Sequence, residues 1–149
     1  MAWQNLPSTS TPLNATNLNS LSNSIESGTW TPTLENATVT YTTQTGIYRK
    51  IGDLIYVAWK LQGTITAVTS PTYAYIDGLP YSAGTEQAGS LYEYGNCFAD
   101  NTTPRLVRVT GTRLGIQNGS VAGTSISYWE AGHGTFYLSG NATYIKSSS

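Results

Sequence analysis

The chain has 149 residues, enough for one ordinary domain with a short appendage. Charged side chains make up 10% of it, and seven basic residues stand against eight acidic ones. A sparsely and almost evenly charged chain sets up no long-range field for nucleic acid or an anionic membrane, so neither is expected as a partner.

Thr, Tyr, Val and Ile are frequent and strong helix formers are scarce, which favours β structure. Eleven Tyr and four Trp supply enough aromatic area for a core and argue against disorder. The lone Cys97 closes no intrachain disulfide and reads as a small buried apolar residue. No apolar run reaches membrane-spanning length, and MAWQNLPSTSTP lacks the basic and apolar regions of a secretory signal peptide.

Residues 1–12 read as an extended arm with Trp3 and Leu6 as docking points. In NATNLNSLSNSIE, Leu18, Leu21 and Ile25 fall at i, i+3 and i+7, the spacing of a short amphipathic helix. Asn and Ser between them are poor helix formers, so such a helix needs its stripe covered. Sister chains or the chain's own β domain would cover it; the first is preferred, making Leu18, Leu21 and Ile25 oligomerisation candidates. Residues 1–27 are therefore expected as an N-terminal arm and helix, and residues 28–149 as the β domain.

From Gly28 the pattern is strand and turn. In DLIYVAWKLQG, Ile55, Val57, Trp59 and Leu61 share one face and Leu54, Tyr56 and Ala58 the other, so this strand is expected to be central and covered on both sides. Further strands are expected in YAYID, SLYEY, NCFA, RLVRV, RLGIQNG, TSISYWE, GTFYLSG and NATYIK. About nine or ten short strands with turn residues between them predict an all-β antiparallel sandwich, jelly-roll-like. Threonine keeps outer strand faces wet without charge, which permits identical surfaces to meet.

Positive signals for catalysis are missing. His133 is the single histidine, there is no GxSxG elbow, and no phosphate loop or zinc-ligand spacing occurs. No enzyme activity, metal or cofactor is expected. The remaining candidates are aromatics among polar neighbours, whose faces stack on sugar C–H surfaces. Tyr92, Tyr94, Tyr128 and Trp129, with Asp100 as an acceptor, are the candidate glycan-binding residues; Tyr73, Tyr75, Tyr81, Trp59 and Asp77 belong to the same aromatic-and-acceptor set.

One long stretch carries a resemblance. GTWTPTLENATVTYTTQTGIYRKIGDLIYVAW resembles a segment of tail-fibre and receptor-binding proteins of tailed bacteriophages, through Gly28 to Leu34, Tyr41, Gln44, Gly46, Tyr48, Lys50, Ile51 and Gly52. IDGLPYSAG and YLSGNATYIK look like further elements of the same proteins, and TPLNATNLNSLSNSI is similar to an element near the start of phage tail and baseplate proteins. Residues 85–130 carry no such resemblance. The resemblance implies a β-rich homotrimer on a virion, assembled in the host cytoplasm. It implies contact with other virion proteins through the N-terminal arm and binding of a host surface glycan, or alternatively a structural head-fibre or decoration role.

Overall fold

The computed structural model of the chain describes residues 18–20, 22, 24–69, 73–98, 104–119 and 127–148. Among these residues nine strands follow in chain order: β1 (Ile25–Trp30), β2 (Thr33–Leu34), β3 (Ala37–Ile51), β4 (Leu54–Val68), β5 (Tyr75–Asp77), β6 (Gln87–Gly95), β7 (Arg105–Thr110), β8 (Arg113–Asn118) and β9 (Thr135–Ile145). All pair antiparallel in one sheet of order β1-β3-β4-β9-β6-β7-β8-β5-β2.

Alternation decides what lies inside. β4 buries Ile55, Val57, Trp59, Leu61 and Ile65, and β9 buries Phe136, Leu138, Ala142 and Tyr144. Gly140 holds the inward place between Leu138 and Ala142, and Trp59 fills it: a Cβ there would lie 2.7 Å from the indole. GTFYLSG and NATYIK therefore join into the single strand β9 instead of the two expected. Gly52 and Gly111, with φ of 59° and 54°, open the two-residue turns between Ile51 and Leu54 and between Thr110 and Arg113.

The connection between β1 and β2 fixes the shape. These strands are the two edges of the sheet, yet only Thr31 and Pro32 join them. Laid flat, the sheet's eight interstrand spacings would hold its edges roughly 38 Å apart. Three Cα steps reach about 11 Å. The sheet must curl until its edges meet, and its inward residues form one core from Trp30 and Leu34 through Ile76 to Val109 and Leu114. The all-β antiparallel class expected from the sequence is what forms, with the facing layers supplied by the two halves of one curled sheet.

The stretch that carries the phage-protein resemblance builds this seam. Gly28 is opposite Tyr48 and Trp30 opposite Gly46, and each aromatic ring lies over the facing glycine, 2.6 Å from where a Cβ would stand. Trp30 Nε1 donates to the Ile47 carbonyl at 3.2 Å. Gln44 Nε2 donates to the Pro32 carbonyl at 3.0 Å, and the Leu34 amide to Tyr41 Oη at 2.8 Å. β3 thus holds both sides of the two-residue link.

Several expectations are corrected. Residues 18–20 and 22 are helical, but Ile25 begins β1 opposite Ile51 and is not a third member of a helical stripe. The Ser24 amide ends the turn on the Ser20 carbonyl, and the Ser24 carbonyl accepts from Gly52, which leads the β-branched Ile25 into the sheet. The sheet thus begins three residues before the expected boundary at Gly28; Leu21 lies outside the described residues. β4 is central but covered on one face only: Leu54 and Tyr56 are exposed. Residues 96–98 are not strand, because Asn96 turns left-handed at φ 57°. Of TSISYWE, residues 124–126 lie outside the described residues; in 127–130 Tyr128 forms a single bridge, to Tyr73.

A polar clasp ties the first edge strand to the segment after β5. Glu26 accepts from Tyr48 Oη at 2.5 Å, from Tyr81 Oη at 2.7 and 2.8 Å, and from Lys50 Nζ at 3.2 Å. Hydrogen bonds from Tyr48, Tyr81 and Lys50 lower the Glu26 carboxyl to about 2. In return the Glu26 carboxylate, helped by burial, pushes Tyr81 up to about 12. A lowered carboxylate stabilises the fold fully above its ordinary value near 4.5 and loses that contribution as pH falls through about 2. A raised tyrosine contributes below its ordinary value of 10 and loses it as pH rises through about 12.

Denaturant melts across pH should therefore show Glu26→Gln flattening the stability profile in both windows. A profile unchanged from wild type would remove the clasp from the account. Trp59→Ala should cost roughly 3–5 kcal/mol by the same measurement, since it empties the space over Gly140.

Candidate functional site

The outward residues of β5, β7 and β8 assemble a polar and aromatic face on one side of the curled sheet. Tyr75 and Asp77 alternate with the buried Ile76, and Arg113, Gly115 and Gln117 alternate with the buried Leu114 and Ile116. On β7, Leu106 and Arg108 point outward between Val107 and Val109. The register sets Arg108 opposite Gly115, Gly115 opposite Tyr75, Leu106 opposite Gln117 and Arg113 opposite Asp77.

Gly115 lets Tyr75 lie close to the sheet: a Cβ there would sit 3.1 Å from the tyrosine ring. Arg113 then stacks on that ring, its Cζ 4.1 Å from the centroid. The same guanidinium donates to both oxygens of Glu35, at 3.1 and 2.9 Å. Glu35 is held in place by its own amide, which donates to the Tyr75 carbonyl at 2.9 Å.

Aromatic surface continues from there. Tyr73 meets Tyr75 edge-on at 6.2 Å and stacks on Tyr128 at 5.4 Å and 29°. Tyr128 reaches this row because residue 127 inserts beside β8. The Ala74 amide donates to the Ser127 carbonyl, and the Ser127 amide to the Ile116 carbonyl, both at 2.8 Å. Tyr128 is 55% exposed and Tyr73 37%, so the stacked pair presents ring surface to solvent. On the other flank, Glu86, Ala88, Leu106, Arg108 and Gln117 line an open groove of about 220 Å³, with Arg108 ion-paired to Glu86.

The five residues singled out from sequence do not share this face. Tyr128 lies in it. Tyr92 is exposed elsewhere, on β6, where its hydroxyl meets Asn141. Trp129 is corrected to a core residue: 2% exposed, it stacks on Phe98 at 5.3 Å and offers no face to a ligand. Tyr94 packs edge-on against the same Phe98 at 5.9 Å and is part of the core's lining. Asp100 lies outside the described residues. Sequence reasoning missed Arg113, Glu35 and Gln117 altogether. The usable signal was the alternation of Tyr73, Tyr75 and Asp77 about buried neighbours; the partners come from strands whose order the sequence does not state.

Elsewhere, Cys97 is buried, and burial pushes its thiol up to about 12, which keeps it protonated and unreactive at neutral pH. His133 Nε2 lies 3.0 Å from Glu130 in the loop before β9. Among the described residues no group of three His, Cys, Asp or Glu is placed to hold a metal ion. No helix there is long and apolar enough to cross a membrane.

No family model and no curated protein matches this sequence. Among solved structures, the crystal structure of Dettilon tailspike protein is similar, with a TM-score of 0.48 and 16% identity. The match covers 79% of this chain and 23% of that one. A TM-score below 0.5 does not establish a common topology, so the fold stands on its own strand pairings.

Two adjacent substitutions test the division between face and core. Trp129→Ala should destabilise by roughly 3–5 kcal/mol, whereas Tyr128→Ala should cost less than about 1.5 kcal/mol because half its surface is already in water. Equal losses in denaturant melts would contradict the placement of Tyr128.

Proposed function

We propose that this chain is a bacteriophage virion surface protein of the tail-fibre or receptor-binding kind, attaching to host surface carbohydrate through the outer face of β5, β7 and β8. The observation that carries the binding part is the exposed Tyr73–Tyr128 stack continued by Tyr75, Arg113 and Glu35 beside an open groove. Sugars offer flat C–H faces to aromatic rings and hydroxyls to carboxylates and guanidinium groups, and this face holds both kinds of partner. The virion part is supported by the sequence resemblance, whose residues form the seam. Glu35 and Glu86 are each fixed by an arginine, which suits gripping hydroxyls better than passing protons, so the activity proposed is binding without catalysis.

The same reading includes self-association, as a homotrimer, through a second region of the sheet's outer surface, on β1, β3, β4 and β9. Ile25, Ile51, Leu54 and Ile145 are successive register partners across β1, β3, β4 and β9, and all four are exposed. Beyond the Arg49–Tyr56 pair, Ile47 and Ala58 line a depression of about 230 Å³ together with Thr45 and Lys60. A row of large aliphatic side chains on the outer face favours burial against another protein surface. The alternative, a structural head-fibre or decoration protein, draws on the same row: it lies beside Ser24, where the chain enters the sheet, and would serve as the particle-docking surface of the N-terminal arm.

Phage particles lacking this protein should adsorb poorly to host cells, and purified protein should compete with intact particles. Unimpaired adsorption would favour the structural role, and release of reducing ends from host polysaccharide would overturn binding without catalysis. Light scattering should report a trimer for the wild type and a folded monomer for the double variant Ile51→Lys, Leu54→Lys. A monomeric wild type at micromolar concentration would remove the self-association.

A further inference from the structure

We infer that the β5–β7–β8 face selects uncharged pyranose glycans and discriminates against anionic ones; this rests on the carbohydrate-binding reading above and adds the ligand class. The stacking part of the face is neutral. Tyr73 and Tyr128 form a ledge whose exposed rings suit the C–H face of a pyranose regardless of its substituents. Selection by charge falls to the groups around it.

Among the described residues those groups are two guanidinium groups and three carboxylates. Arg113 is engaged by Glu35, and Arg108 by Glu86. Asp77, opposite Arg113 on the neighbouring strand, is the surplus charge, so the described residues of the face carry a net charge of −1 (two positive, three negative). The other cations of the described chain are placed elsewhere. Lys50 and Lys146 pair with Glu26 and Asp53, Arg49 and Lys60 lie on β3 and β4, and Arg105 stacks on the core residue Phe98 at 4.7 Å.

A ligand carboxylate, phosphate or sulfate that accepts from an N–H these pairs leave over would stand beside Glu35, Glu86 and Asp77 with no unmatched positive charge to offset its own, unless it displaced a glutamate from its arginine. A hydroxyl needs no displacement. It donates to a carboxylate oxygen or accepts from a guanidinium N–H that the ion pair leaves over, and Gln117 offers one group of each kind between the groove and the ledge. Paired charges in a groove are thus a set of fixed donors and acceptors for hydroxyls, and a barrier to anions.

The test titrates the full chain, by NMR shift changes, with uncharged trisaccharides of glucose, galactose, mannose and N-acetylglucosamine and with an anionic trisaccharide of galacturonic acid. At least one uncharged trisaccharide should bind, with affinity reduced about tenfold or more by Tyr128→Ala. The galacturonate probe should bind at least about tenfold more weakly than that sugar, and Asp77→Asn should narrow the gap. Galacturonate binding equal or tighter, and still dependent on Tyr128, would overturn the charge selection while leaving the carbohydrate-binding face in place. No binding by any probe, or binding indifferent to Tyr128, would overturn both.

Discussion

Trp30 and Thr33 belong to strands on opposite edges of a nine-stranded sheet, and two residues separate them. That short tether is the constraint on which the rest of the structure depends. It forbids a flat sheet and forces the edges together. Once they meet, alternation along each strand, reset at the irregularities in β3 and β6, assigns each side chain to an enclosed interior or to an outer surface. The residues that hold the tether are Trp30 over Gly46, Tyr48 over Gly28, Gln44 on the Pro32 carbonyl and Tyr41 on the Leu34 amide. Each does its work through shape and hydrogen bonding, which explains why a stretch so rich in hydroxyls and aromatics needs so few charges.

Closure leaves the outer surface with two unlike regions. The long strands β3, β4 and β9, with β1, expose aliphatic side chains and few charges. The shorter strands β5, β7 and β8 expose tyrosines, a glutamine and arginines already matched by carboxylates. A surface of the first kind gains by being covered by protein, and one of the second kind by meeting a hydroxyl-rich ligand. An attachment protein needs both properties, on separate sides.

Much of the fold was legible in the sequence because burial and period coincide. Ile55, Val57, Trp59 and Leu61 alternate without interruption, and Gly52-Asp53 marks the turn before them. Where the reading failed, a longer-range contact had overridden a local signal. Gly140 looked like a break, but Trp59, far away in sequence, fills its place and keeps β9 whole. Ile25 fitted a helical stripe, but pairing with Ile51 gave it a ladder partner that a three-turn helix of Asn and Ser could not match. Leu54 and Tyr56 looked buried because apolar character alone does not separate a covered face from one that awaits a partner.

The candidate site was less legible for the same reason. Tyr128 and Trp129 are chain neighbours with the same composition signal, and the alternation of the backbone sends one to solvent and the other to Phe98. Glu35 and Arg113 stand 78 residues apart and meet only because β2 and β8 both flank β5. The separation of ligand face from association face is the central claim, and NMR shift mapping with host-derived surface polysaccharide tests it most directly. Perturbations confined to Tyr73, Tyr75, Gln117, Tyr128 and their neighbours are the result this account predicts. Perturbations centred on Ile47, Ile51, Leu54 and Tyr56, with the tyrosine row silent, would contradict it.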